Sequence, residues 1–443
     1  MVKFEPSGNP TPPNIIFLLA DDMRFDGLGV MGNPIIQTPT LDGLAKQGVL
    51  FKNAYVTSPI CAISRATLFT GEYASRHGII DFDTDFRQDQ ASQAYPLLLR
   101  AAGYKTGFIG KFGVGDNPPA AWFDYWKGFA GQGFYDATDS SGAPIHLTKL
   151  MTQQANAFLR QQKAGKPFML SLSFKSPHPQ DEDARNFIPE QQDMPLYASD
   201  SMPVPSTATQ AAWNSEPDFF KNNNLARERW VGLFSNPQLY QTSVKNYYRL
   251  ITGMDRAVKN IRYELDSLGL SNNTVLIFMS DNGFFLGEHG LSHKWYGYEE
   301  SVRVPLIIYD PRDASGQMGR VETKIALNVD IAPTILDLAG VQVPTQMQGS
   351  SLVPVVHDKA PSGWRSDFLF EHMYNDPSIK RSVGVVGGRY KYLKYVDPVP
   401  NYEVLFDLAT DPKETTNLAS DPRYSTILDS LRQRYATLAA RAK

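Results

Sequence analysis

Residues 14–20 read Asn-Ile-Ile-Phe-Leu-Leu-Ala, a near-continuous apolar run that stops abruptly at Asp21 and Asp22. A strand that is apolar on both alternating faces must lie between two covering layers, which is the setting of a parallel strand in an α/β fold. Further runs of strand length stand at 103–109, 167–174, 274–279 and 305–309. Helical patterns separate them. Pro39, with Thr38 as its cap, opens a short helix through Lys46, and 239–268 carries a long helical period closed by Gly269. This alternation predicts a layered α/β fold: a large N-terminal domain with a mainly parallel sheet flanked by helices.

After Pro344 the pattern changes. Runs at 367–370, 382–386 and 389–396 read as antiparallel strands and 422–442 as a closing helix. A smaller C-terminal α+β domain with an antiparallel sheet is therefore expected over 341–443, leaving 14–340 as the main domain. Residues 1–13, polar and proline-rich, read as a disordered tail or as the scar of a removed export signal. The stretch 181–236 has no clean period and is expected to be a long surface excursion.

The 443 residues suffice for a large core, and no apolar run approaches the ~20 residues that span a bilayer. A formal net charge of −3 gives no electrostatic case for nucleic acid or an anionic membrane as partner. Composition excludes little else.

The acidic pairs say more. Asp21 and Asp22 follow the first strand directly, and Asp281 and Asn282 follow the strand at 274–279 after a single serine. Both pairs sit at carboxyl ends of buried strands, the edge at which open α/β sheets bind ligands. Three carboxylates and an amide oxygen are hard donors suited to Ca²⁺ or Mg²⁺. Either pair alone could simply mark a turn; together they favour a metal site.

Cys61 is the only cysteine, so it forms no internal disulfide. A lone thiol is commonly inert filler. This one precedes a short helical run, 64–69, closed by Gly71, and Arg65 follows four residues later. A helix N-terminus favours anions, and a guanidinium suits a tetrahedral oxyanion. The context favours chemistry.

The segment Cys61-Ala62-Ile63-Ser64-Arg65, continuing Ala66-Thr67-Leu68-Phe69-Thr70-Gly71, resembles the signature of the type I, formylglycine-dependent sulfatases of the alkaline phosphatase superfamily. The resemblance implies that Cys61 is oxidised to an aldehyde by a formylglycine-generating maturation enzyme, and that the aldehyde hydrate is the nucleophile. Ile63 departs from the family's usual Pro or Ala. The resemblance also implies that Asp21, Asp22, Asp281 and Asn282, with the modified Cys61, hold a divalent ion, usually calcium, with magnesium as the other choice.

Three further segments match the family. Gly110-Lys111-Phe112-Gly113 resembles its Gly-Lys-x-His motif, with Lys111 in place but Gly113 where the family carries a histidine that helps break down the sulfated intermediate. Pro177-His178-Pro179 resembles its Pro-His-x-Pro motif, and Lys294 ends a segment like its Gly-Glu-His-Gly-Leu-x-x-Lys. His289 and His293, in that same segment, are read as neighbours of the site. Arg65, Lys111, Lys294 and the ion would clamp a sulfate's oxygens, and His178 or Lys294 would protonate the leaving alcohol. His372, following a C-terminal strand, is expected either as a substrate contact or as a domain-interface histidine.

The expected activity is hydrolysis of a sulfate ester on a carbohydrate, a polysaccharide or glycosaminoglycan fragment, by a periplasmic or extracellular enzyme. The alternatives are a phosphonate monoester or phosphodiester hydrolase on the same scaffold, and a catalytically silent glycan-binding relative, which Ile63 and Gly113 favour.

Overall fold

Every residue of β1 (Asn14–Asp21) is buried, and its side chains alternate between two apolar cores. Ile16, Leu18 and Ala20 face one core; Ile15, Phe17 and Leu19 face the other. The computed structural model describes residues 12–162, 165–313, 316 and 319–443. The expected tail lies outside the described residues as far as residue 11.

β1 is central to a nine-stranded sheet. Its other strands are β2 (Val49–Tyr55), β3 (Lys105–Lys111), β4 (Tyr125–Phe129), β5 (Phe168–Pro177), β6 (Thr274–Ser280), β7 (Arg303–Tyr309), β8 (Arg320–Glu322) and β9 (Ala326–Leu327). The order is β8-β2-β7-β6-β1-β5-β3-β4, with β9 also on β2. From β6 to β4 all pairs are parallel, and β7 is antiparallel to both neighbours.

Helices cover both faces. α1 (Pro39–Gln47), α3 (Leu147–Leu159) and α4 (Pro237–Ser267) pack on the first core, while α2 (Cys61–Thr70) and α5 (Ile331–Leu338) pack on the second. α4 starts where local chemistry directs it: Asn236 caps the Leu239 N–H at 3.0 Å, and Pro237 is the first helical residue. The excursion at 181–236 is more ordered than its composition suggests, with helices at Gln210–Ser215, Asp218–Lys221 and Leu225–Phe234.

β10 (Asp367–His372), β11 (Ser382–Gly387), β12 (Tyr390–Tyr395) and β13 (Tyr402–Asp407) form an antiparallel sheet in sequence order. α6 (Ser425–Ala442) covers one face through Leu428, packed with Tyr392 and Leu405. The other face packs against the main domain: Phe368, Phe370, Leu393 and Phe406 share a core with Ile60 and Ile63, the residues flanking Cys61. Each fully buried side chain of this size contributes about 1.5–3 kcal/mol. The chain stays on the large sheet past the expected boundary at 341, because Met347, Leu352 and Val355 pack in the second core. Among the described residues no helix is long and apolar enough to cross a membrane.

Candidate active site

The register of β1 on β6 pairs Ala20 with Ser280, so the two acidic pairs leave the sheet side by side. The Asp281 N–H donates to the Ala20 carbonyl at 3.0 Å. Asp22 then turns with φ 67°, in a left-handed region that aspartate tolerates better than most residues. Asp21 also pairs with Pro177 at the end of β5, and β3 on the far side of β5 ends at Lys111. Parallel pairing thus delivers three motifs to one edge.

α2 brings the nucleophile candidate. Cys61 is its first residue, after an extended Ile60, and the helix is buried throughout until Gly71 ends it at φ 66°. Cys61 Sγ lies 3.4 Å from Asp21 Oδ1 and 3.9 Å from Asp22 Oδ1. Lys294 Nζ donates to Asp22 Oδ1 at 2.5 Å and stands 3.2 Å from Sγ. One turn along the helix, Arg65 donates through Nε to Asp281 Oδ2 at 2.8 Å and through Nη1 to Ser173 Oγ at 2.5 Å. Lys111 Nζ donates to Asp21 Oδ2 and to Gln132 Oε1, each at 2.6 Å.

Burial and charge set the protonation states. Burial opposes the Asp21 charge, yet the Lys111 ammonium and the Arg65 guanidinium hold its carboxyl well below the usual range. Asp281 is pushed up to about 7 by burial and by Asp21, against the pull of Arg65. The Cys61 thiol is pushed up by burial and by Asp21, so the unmodified side chain is a neutral thiol. Lys294 loses solvation, but Asp22 holds it as an ammonium. Burial and then Lys294 push His178 well down, so it is neutral. Its Nδ1 lies 2.5 Å from the Pro179 carbonyl and so carries the proton, leaving Nε2 as an acceptor 3.6 Å from Asp22 Oδ2.

These residues can hold a metal ion. Ligand atoms of Asp21, Asp22, Cys61 and His178 lie within 4.8 Å of one another. Asn282 donates through Nδ2 to Asp22 Oδ1 at 2.5 Å, and its buried Oδ1 has no partner among the described residues. A buried amide oxygen without a donor is costly, and a cation would satisfy it. Arg65 Nη2 is also buried without a hydrogen bond among the described residues, 3.5 Å from Asp21 Oδ2, which suits a tetrahedral anion beside it.

Some residues lie apart. His372 shares a strand face with Phe368 and Phe370, so it points into the core between the two sheets, fully buried and with both ring nitrogens unpartnered among the described residues. His289 stacks on Tyr298 at 4.3 Å between ring centroids, whereas His293 lines the cleft with Nε2 3.0 Å from Asp181. A Cβ at Gly113 would stand 2.8 Å from Arg65 Cδ, at a backbone φ of 73°. A histidine there would have to displace the Arg65 side chain.

Three contributors escape sequence reasoning: Ser173, Gln132 and Lys175. Lys175 lies in the cleft wall, donates to the Gln132 carbonyl at 3.2 Å, and is pushed down to about 8 by burial and by Lys111. Its position three residues before His178 was the available signal. Cys61, Lys175, His178 and Lys294 all open into one cleft of about 1060 Å³.

The family model described as Sulfatase matches residues 13–341, spanning every residue of this cluster. The chain belongs to the sulfatase family. A second model, N-sulphoglucosamine sulphohydrolase, C-terminal, matches residues 287–441 of the sulfatase. An N-acetylglucosamine-6-O-sulfatase from Bacteroides thetaiotaomicron is 28% identical over 480 residues, covering 93% of this chain and 84% of the relative. An arylsulfatase from Clostridium perfringens is 30% identical over 469 residues, covering 95% and 93%. A solved structure in complex with its substrate, D-glucosamine-2-N,6-O-disulfate, superposes with a TM-score of 0.82 at 27% identity over 97% and 98% of the two chains. A phosphonate monoester hydrolase from Agrobacterium radiobacter shares the fold, with a TM-score of 0.79 at 21% identity over 97% and 96%. This sulfatase is a sulfuric ester hydrolase, and its family implies a metal ion and a formylglycine.

Proposed function

We propose that the protein removes a sulfate ester from a sulfated amino sugar, such as a 6-sulfated glucosamine of a glycosaminoglycan fragment. The observation that carries this reading is the placement of Cys61 Sγ 3.4 Å from Asp21 and 3.2 Å from the Lys294 ammonium, in the lining of a cleft of about 1060 Å³. The sugar class is supported by relatives that include N-acetylglucosamine-6-sulfatases of Capra hircus and Homo sapiens.

In this reading Asp21, Asp22, Asp281 and Asn282, with residue 61, hold calcium in preference to magnesium. An almost all-protein oxygen cage suits the larger ion, since magnesium usually retains several waters. When present, the ion supplies a Lewis acid and the aldehyde derived from Cys61 supplies the nucleophile as its hydrate. Arg65, Lys111 and Lys294 supply the positive charge for the sulfate's oxygens, where charge builds during in-line attack. Lys294, held as an ammonium, has a proton ready for the leaving alcohol. Neutral His178, its Nδ1–H fixed on the Pro179 carbonyl, offers Nε2 as a proton acceptor.

Conversion of Cys61 requires a formylglycine-generating enzyme that accepts Ile63. Export to the periplasm or exterior belongs to the same reading and is supported by an extracellular sulfatase homologue of Drosophila melanogaster among the relatives. Steady-state kinetics on matched aryl sulfate, aryl phosphate and phosphonate esters tests the reaction class. The sulfate ester is expected to be preferred; a large phosphonate preference would move the protein to the hydrolase whose fold it shares.

A further inference from the structure

We infer that the loop Gly131-Gln132-Gly133-Phe134 forms a second sugar subsite, in which the Phe134 ring stacks on the pyranose next to the sulfated residue. The inference rests on the proposed carbohydrate substrate and extends it from one ring to at least two.

Phe134 is 61% exposed, yet it lines the same cleft as Cys61. A single exposed apolar side chain is ordinary on a protein surface. This one is unusual because both of its flanks are tied to the reaction centre. On one side, the Gln132 side chain accepts from Lys111 at 2.6 Å and its carbonyl accepts from Lys175 at 3.2 Å. On the other, Tyr135 donates through its hydroxyl to the His178 carbonyl at 2.8 Å and through its N–H to Gln180 Oε1 at 2.9 Å. The ring is thus presented to solvent by a loop fixed to two catalytic segments.

Gly133 makes that presentation possible. Its φ is 65°, and a Cβ there would stand 2.5 Å from the Phe129 ring. Only glycine lets the chain pass over Phe129 and send the next side chain outward. A chain that places a large apolar ring at the rim of a polar reaction centre, and immobilises its backbone, has made a stacking platform of low entropic cost.

The cleft's size and walls identify the occupant. About 1060 Å³ lies at the top of the ~300–1,000 Å³ that encloses drug-sized ligands, so it holds more than one pyranose. The Arg229–Asp181 ion pair shares the lining with Tyr374 and Trp295. Polar groups together with aromatic rings suit a sugar, which carries hydroxyls at its edge and C–H bonds on its faces. An aryl aglycone would present a ring face as well, so the test includes one.

Matured wild type and Phe134→Ala should be compared on three 6-sulfated glucosamine substrates: the free monosaccharide, its aryl glycoside, and a disaccharide with the sulfated sugar terminal. The disaccharide-to-monosaccharide ratio of kcat/KM is expected to fall about tenfold in Phe134→Ala, the factor that ~1.4 kcal/mol of stacking supplies. The loss should lie in KM, and Phe134→Tyr should restore the ratio. If only the aryl ratio falls, the platform is for aglycones and the sugar subsite is overturned. An unchanged ratio, with wild type active on the monosaccharide, overturns the subsite alone. A wild type that desulfates none of the three overturns the 6-sulfated glucosamine reading beneath it.

Discussion

Lys294 Nζ donates to both oxygens of Asp22, at 2.5 and 2.8 Å, and lies 3.2 Å from Cys61 Sγ. One cation thereby touches a metal-ligand candidate and the nucleophile position at once. Lys294→Ala is expected to lower kcat by about 10²–10³-fold, as loss of one preorganised donor does elsewhere. Lys294→Arg should not restore it, because a planar guanidinium cannot replace a compact ammonium between two partners. Rates on an aryl sulfate check both variants.

Gly113 leaves room for Arg65. Since a Cβ there would meet Arg65 Cδ at 2.8 Å, Gly113→Ala should shift the guanidinium off Asp281 and Ser173. A fall in kcat/KM on the order of tenfold or more is expected, equivalent to at least about 1.4 kcal/mol of lost transition-state binding. An unchanged kcat/KM would mean that the side chain adjusts freely.

Asn282 Oδ1 is buried without a donor among the described residues. Activity is expected to disappear on chelation and to return with added calcium. In Asn282→Ala the calcium concentration for half-maximal activity should rise on the order of 10–100-fold or more, the range seen when support of a metal ligand is lost. Titration of the chelated enzyme with Ca²⁺ and Mg²⁺ gives both numbers.

Acid should unfold the protein partly through buried neutral histidines. Burial holds His77 down at about 3 and His289 at about 4, against 6.5 for a free imidazole. Each folded value lies below the unfolded one, so protons bind the unfolded chain more tightly. Their stabilising effect is complete above pH 6.5 and is lost as pH falls toward those folded values. Between pH 7 and 5 each should cost about 2 kcal/mol. Urea midpoints at the two pH values for His77→Gln should show a correspondingly smaller difference.

How far the sequence could be read depended on how local each signal was. That the Asp21-Asp22 and Asp281-Asn282 pairs lie side by side was legible because each pair follows an apolar strand, and parallel pairing then fixes where strand ends meet. Lys111, His178 and Lys294 sit in motifs of fixed spacing. The antiparallel direction of β7 was not legible, because an apolar run carries no direction. Gln132 looks like an ordinary polar residue between glycines; only the fold brings it to Lys111. His372 shows the opposite case. Its two-residue spacing from Phe370 and Phe368 already placed it on the strand's core face, and that pattern outweighs its position at a strand end. The helices within 181–236 escaped because they are short and pack on distant segments, as Leu225 does by donating its N–H to the Ser378 carbonyl at 3.0 Å.

The most direct measurement is the mass of the proteolytic peptide carrying residue 61, taken from protein that actively releases sulfate. That peptide should carry an aldehyde oxygen in place of the thiol, in proportion to specific activity, and Cys61→Ala should be inactive. Fully active protein whose peptide retains an intact thiol would contradict the formylglycine reading.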